Sequence, residues 1–167
     1  MALRNILTVG DPTLNKHCRP YTEFGPRLHE LLDDMRETLA LADGVGLAAP
    51  QVGVLRRAVM VIETNHPEDE EDRILELVNP EIIATEGEQT GREGCLSVPE
   101  ECGIVTRPMV VTVRAQNRNG EFFEYTGEGL TARCFCHELD HLDGVLYTER
   151  ASRMLTEEEM AEPEEEA

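Results

Sequence analysis

The chain has no tryptophan, and only four phenylalanines and three tyrosines among 167 residues. Its core must be filled mainly by aliphatic side chains, since hydrophobic residues still make up 40%. Positive charge is scarce too. Fifteen Lys and Arg face 34 Asp and Glu, a net charge of −19. The last eleven residues, EEEMAEPEEEA, hold seven glutamates, yet the remainder, with 15 basic and 27 acidic residues, is still near −12. An extended nucleic-acid footprint needs clustered Lys and Arg, and an anionic membrane repels such a surface. Neither partner is expected. No apolar run approaches the roughly 20 residues that span a bilayer. The opening MALRNILTVGDPTLNK lacks the basic region, apolar core and cleavage site of a secretory signal. A cytoplasmic protein is the expectation. A disulfide framework is also missing: Cys18, Cys95, Cys102, Cys134 and Cys136 are odd in number and irregular in spacing. In a reducing compartment, a cysteine with a special role is then a ligand or a nucleophile.

What is present fits one domain with a substantial core. PRLHELLDDMRETLALADG reads as an N-terminal amphipathic helix. Pro26 suits its first position, Gly44 its far end, and Leu28, Leu31, Leu32, Met35 and Leu39 form one stripe. RAVMVIE (57–63) reads as a strand, and NHPEDEEDR (65–73) as an acidic loop. ILELVNPEIIATEG reads as two short strands broken at Asn79-Pro80. MVVTVRAQ, NRNG and EFFEYTG form a predicted hairpin with Asn119-Gly120 at its turn. Leu130 to Leu142 is helical in pattern and ends at Asp143-Gly144. VLYTE suggests a last strand. From Thr156 the chain is too charged to bury, so it is a solvated helix or disordered. Strands cluster between two helices without β-α-β alternation, which predicts an α+β fold with antiparallel sheets.

The second helix carries HELDH. His137 and His141, four apart, share one face, where two imidazoles can reach one ion. Glu138 projects about 100° around, close to such an ion without ligating it, which is a general base's position. Asp140 reads more readily as a solvated charge than as an outer-shell orienter. A catalytic site usually needs a third protein ligand. The metzincin extension would require a histidine where Tyr147 stands, so that class fails. Cys95, in the Gly-, Ser- and Pro-rich GREGCLSVPEECG, and Cys134, three residues before His137, both remain candidates, Cys95 the better placed. Cys136 projects to a different face. DGVGLAAPQVG (43–53) has glycines for tight turns or close backbone approach. Gln51 there suits donation to a developing oxyanion, although alone the segment reads as a helix cap and a small-residue loop.

Taken together, GVGLAAPQ (44–51), EGCLS (93–97) and HELDH (137–141) resemble the three motifs of the peptide deformylases: GxGxAAxQ, EGCxS and HExxH. Every defining position matches, and the resemblance runs to about Thr148. It implies an α+β fold with antiparallel sheets around a central HExxH helix. It also implies that Cys95, His137 and His141 ligate one divalent metal, with a water in the fourth place. That metal would be Fe2+, with Zn2+ or Ni2+ often replacing it on purification. Glu138 would be the catalytic acid and base, and Gln51 and the Leu96 N–H would hold the oxyanion. Gly46 would supply backbone contacts to the peptide. Gly44, Val45 and Cys134 would line the substrate pocket beside His137. The implied substrate is the N-formylmethionyl end of nascent polypeptides, and the products are formate and a free amino terminus. A monomer is expected, with residues 1–150 as a single catalytic domain and 151–167 as an acidic tail. The chain departs from the pattern in three places. Cys136 replaces a frequent Gln, with a possible effect on oxidation; EECG stands where some members have a basic residue; and an acidic end replaces the basic helix by which some members contact the ribosome.

Overall fold

The structure is a computed structural model and describes residues 2–64 and 72–163. The predicted loop 65–73 therefore lies mostly outside the described residues. α1 spans Pro26–Ala42, with Pro26 in its first turn as expected. Its far end is closed by Asp43, in the left-handed region at φ 58°, whose N–H bonds to the Leu39 carbonyl. Gly44 does not play that part. β1 (Gly46–Ala48) and a 3-10 turn (Ala49–Val52) follow, where the composition suggested only loop. β2 is Ala58–Glu63, and β3 runs unbroken from Arg73 to Glu86.

The break expected at Asn79-Pro80 is a β-bulge inside β3, with the register shifting between Val78 and Glu81. A bulge takes up the residue that cannot donate to the ladder. Asn79 sits there at φ 50°. Its side chain accepts from the Tyr21 N–H (2.7 Å) and donates to the Tyr21 carbonyl (2.9 Å) and to Gln116 Oε1 (2.9 Å). β4 (Gln89–Cys95) and β5 (Val98–Arg107) form one hairpin, and β6 (Val110–Gln116) and β7 (Phe122–Glu128) form the predicted one. α2 spans Leu130–Leu142 as expected. Gly144 (φ +77°) lies just past its end, packed against the Asn15 backbone. VLYTE is not a strand. Tyr147–Glu149 is a 3-10 turn, with the Leu146 N–H held by the Glu149 carboxylate at 2.9 Å. β8 (Arg153–Met154) and α3 (Glu157–Ala161) complete the described chain, and no α3 residue is buried. That is the solvated helix the charge pattern allowed.

All pairings between these strands are antiparallel. One sheet has the order β1-β2-β3-β6-β7 and the other β4-β5-β8. Successive strand side chains face opposite sides, and β2 shows the consequence. Val59 and Val61 pack with Phe135, Leu139 and Leu142 of α2. Ala58 and Met60 pack with Leu28, Leu32, Met35 and Leu39 of α1. The five-stranded sheet thus lies between the two helices, an α+β arrangement. Each fully buried aliphatic side chain of these layers contributes about 2 kcal/mol. Tyr125 meets Phe135 edge-on at 6.1 Å, one of few aromatic contacts in an aromatic-poor core. Among the described residues no helix is long and apolar enough to cross a membrane.

Candidate metal centre and active site

α2 carries His137 and His141 on the face turned to the β4-β5 hairpin. Cys95 ends β4, just before the two-residue turn of Leu96 and Ser97. One ligating atom each from Cys95, His137 and His141 falls within 4.8 Å of the others. Cys95 Sγ lies 3.4 Å from His141 Nε2. The imidazole rings stand 5.0 Å apart at 73°. Cys134 is not in this cluster. Its buried thiol, pushed up by loss of solvent, lines a cavity beside it. Cys136 faces the sheet in the core, and burial pushes its thiol up to about 11, so it stays protonated at neutral pH.

The donors suit a divalent metal. A soft sulfur with two imidazole nitrogens favours zinc or iron over the hard, oxygen-seeking ions. Burial, reinforced by nearby His137, pushes the His141 pKa down to about 3, leaving it neutral as a ligand must be. His137 Nδ1 meets Glu93 Oε2 at 2.7 Å. Burial opposes a charge on this ring, but the Glu138 charge and hydrogen bonds with Cys95 and Glu93 outweigh it and raise its pKa well above the ordinary 6.5, so a metal would have to displace the Nε2 proton to use that nitrogen. Glu93 is buried. Burial alone would raise its pKa, but hydrogen bonds from His137 and Arg107 outweigh it and pull the carboxyl down to about 2. Arg107 grips Glu93 at 3.1 and 2.6 Å, and Arg133 reaches it at 2.9 Å. Arg107 also bonds Asp140 Oδ2 at 2.9 Å, and Arg150 reaches Asp140 at 3.3 Å. Asp140 is therefore part of the charged network around the three candidate ligands, not a solvated charge. Tyr147 stacks on His137 with ring centroids 6.0 Å apart.

Glu138 is buried, and its Oε1 has no hydrogen-bond partner among the described residues. Burial, opposed by the charge of His137, raises its pKa to about 7. Gly46 lies against it: a Cβ at Gly46 would sit 2.5 Å from Glu138 Oε2. Gln51, in the 3-10 turn after β1, is fixed at both ends. Its Oε1 accepts from the Ala48 N–H at 2.9 Å, so its Nε2 is the donor end. Nε2 donates to Ser97 Oγ at 3.0 Å and lies 3.6 Å from Cys95 Sγ. A cavity of about 300 Å3 opens here, lined by Gly44, Val45, Gly46, Gln51, Cys95, Leu96, Cys134, His137 and Glu138 among others. Gly44 packs on Leu96, so a Cβ there would meet Leu96 Cδ1 at 2.9 Å. Every site residue singled out in the sequence, except His141, lines this one cavity, and His141 adjoins it through Cys95. The sequence reading missed the roles of Glu93, Arg107 and Arg133. The available signal was that Glu93 stands two residues before Cys95 and so shares its strand face.

Comparison with known proteins agrees with this geometry. The polypeptide deformylase family model matches residues 3–157. A peptide deformylase of Lachnoclostridium phytofermentans is 52% identical over 99% of each chain, and one of Caldanaerobacter subterraneus is 49% identical over 96% of each. The crystal structure of peptide deformylase from Thermotoga maritima superposes with a TM-score of 0.83 at 39% identity, covering 90% of this chain and 98% of that one. The Ehrlichia chaffeensis peptide deformylase in complex with actinonin gives 0.85 at 32% identity, covering 91% and 90%. The chain belongs to the polypeptide deformylase family and, with it, to the metal-dependent hydrolases.

Proposed function

We propose that the protein removes the N-formyl group from the formyl-methionine that begins new polypeptides, releasing formate and a free methionyl amine. The observation that carries this reading is the buried Glu138 carboxylate, unpartnered at Oε1 and beside a Cys95–His137–His141 ligand set, at the end of a small-walled cavity. Those three residues would hold the metal, which we assign as Fe2+, with Zn2+ or Ni2+ as substitutes. When bound, the metal supplies acidity to a water and polarisation to the formyl oxygen.

The chain's own groups do the rest. Glu138 takes a proton from the attacking water as the water oxygen bonds to the formyl carbon. Gln51 Nε2 and the Leu96 N–H donate to the oxygen on which negative charge builds, each worth about 3 kcal/mol in the transition state. The carbon–nitrogen bond then breaks, and Glu138 passes its proton to the departing amine. A carboxyl with a pKa of about 7 can both accept and return a proton near neutrality. The Gly46 backbone approaches the peptide, and Gly44, Val45 and Cys134 wall the space for its first side chain.

The test is formate release from formyl-Met-Ala-Ser with measured metal content. Glu138→Gln should lower kcat by at least about 10²-fold while keeping the metal, and Cys95→Ala should lose the metal. Full activity in Glu138→Gln would overturn the mechanism.

A further inference from the structure

One wall of the cavity is out of character with a purely apolar slot. α2 presents Leu130, Arg133, Cys134, His137 and Glu138 to the cavity, positions three and four apart on one helical face. Arg133 lies one turn before His137, about 6 Å along the axis. On the deformylase reading, a side chain on the carbon next to the formylated nitrogen would extend along that wall. Arg133 is only 7% exposed. Its Nη1 donates to Glu93 Oε1 at 2.9 Å and to the Val105 carbonyl at 3.1 Å. Its Nε and Nη2 make no hydrogen bond within the described residues. Neither is among the fully sealed unpartnered atoms. Arg133 is itself one of the residues lining the cavity. A buried cation with donors unspent is costly unless something accepts from them.

Resting on the deformylase reading, we propose that Arg133 is a specificity-determining residue that lets the pocket take a first side chain ending in a neutral hydrogen-bond acceptor, methionine sulfoxide above all, as readily as methionine. The thioether packs on the aliphatic stem and the face of the guanidinium. A sulfoxide oxygen adds a bond from Nε or Nη2, which replaces the water it leaves behind. An apolar pocket of the same size would exclude the sulfoxide, because its oxygen would be buried without a donor.

The experiment compares kcat/KM for formyl-Met-Ala-Ser and formyl-Met(O)-Ala-Ser in the metal-loaded wild type and in Arg133→Met. A formyl-norleucyl peptide serves as the apolar control. The sulfoxide-to-methionine ratio should be within about threefold of one in the wild type and fall at least about tenfold in the variant, while the norleucine ratio stays put. A structural role for Arg133 through Glu93 would lower all three substrates together and leave the ratios unchanged, and that result overturns the proposal. If Arg133→Met does not fold, inhibition of the wild type by the product peptides Met-Ala-Ser and Met(O)-Ala-Ser decides. Equal inhibition within about threefold supports the assignment, and a sulfoxide product weaker by more than that overturns it. Absence of formate from every substrate would overturn the deformylase reading and this proposal with it. Formate from the methionine and norleucine peptides alone would overturn only the role of Arg133.

Discussion

At the scale of single residues, the site depends on what Gly46 lacks. Glu138 is held by a buried helix, and its carboxylate fills the space a Gly46 side chain would need. A methyl group there would lie 2.5 Å from Oε2 and 3.0 Å from Cδ. The helix cannot retreat, because Phe135, Leu139 and Leu142 lock it to the sheet. The carboxylate must swing instead. Gly46→Ala should therefore bind metal normally but lose on the order of 10²-fold in kcat, the usual penalty for displacing a reacting group by about an ångström. Metal analysis beside steady-state formate assays checks this, and wild-type kcat in the variant would show that Glu138 has other room. Gly44 differs, since the atom it would meet is the flexible end of Leu96.

At the scale of elements, α2 and the β4-β5 hairpin are joined by charge as much as by packing. Glu93 of the hairpin is bonded to Arg107, Arg133 and His137, and Arg107 carries the link on to Asp140 of α2. Glu93→Gln keeps the shape and removes the charge. It leaves two buried guanidinium groups short of an anion, at about 3–5 kcal/mol of stability. It also loosens the orientation of His137, at about 10- to 100-fold in metal affinity. Denaturant titration and competition with a chelator should show both losses, and an unchanged metal affinity would mean that Arg107 and packing alone set the ring. These ties also explain what could be read from sequence. α2, its two histidines and Glu138 were legible because their spacing is local. Cys95 needed the resemblance to separate it from Cys134. The position of Glu93 beside Cys95 was legible, but its partners were not, because they lie 14, 40 and 44 residues away. The break expected in β3 was wrong for the same kind of reason: Asn79 is held by Tyr21 and Gln116, far off in the chain. VLYTE has strand-forming residues, but Glu149 turns back to cap Leu146 and Tyr147 is drawn under His137.

At the scale of the whole molecule, an acidic chain must keep its few cations well spent. Glu76 of β3 is the clearest case. Arg36 of α1 reaches it at 2.7 Å, and Arg118 of the β6-β7 turn at 2.9 and 2.7 Å. Arg118 also bonds Asp33 of α1 at 3.0 Å. One carboxylate thus ties a helix, a strand and a hairpin turn. Burial would raise the Glu76 pKa, but the hydrogen bonds from Arg118 and Arg36 outweigh it and hold the group below its ordinary 4.5. A carboxyl depressed in the folded state adds stability that is fully present above its unfolded pKa and is lost as pH falls through the folded one. Glu76→Gln should cost roughly 2 kcal/mol at pH 7. It should also flatten the fall in Tm below about pH 4.5. Parallel melting curves of the two proteins across pH 3 to 7 test this, and parallel acid limbs would remove Glu76 from the account.

Arg92 stands at the cavity rim, and its two terminal nitrogens hold the carbonyls of Glu162 (2.8 Å) and Glu159 (2.9 Å) at the end of α3. One guanidinium thereby connects the lining of the cavity to the last described turn of the chain. Linkage is reciprocal: whatever a bound peptide does to the freedom of Arg92 is felt by α3, and whatever holds α3 in place is returned as affinity for the peptide. The exposed glutamates of α3 thus begin at a residue that also lines the cavity.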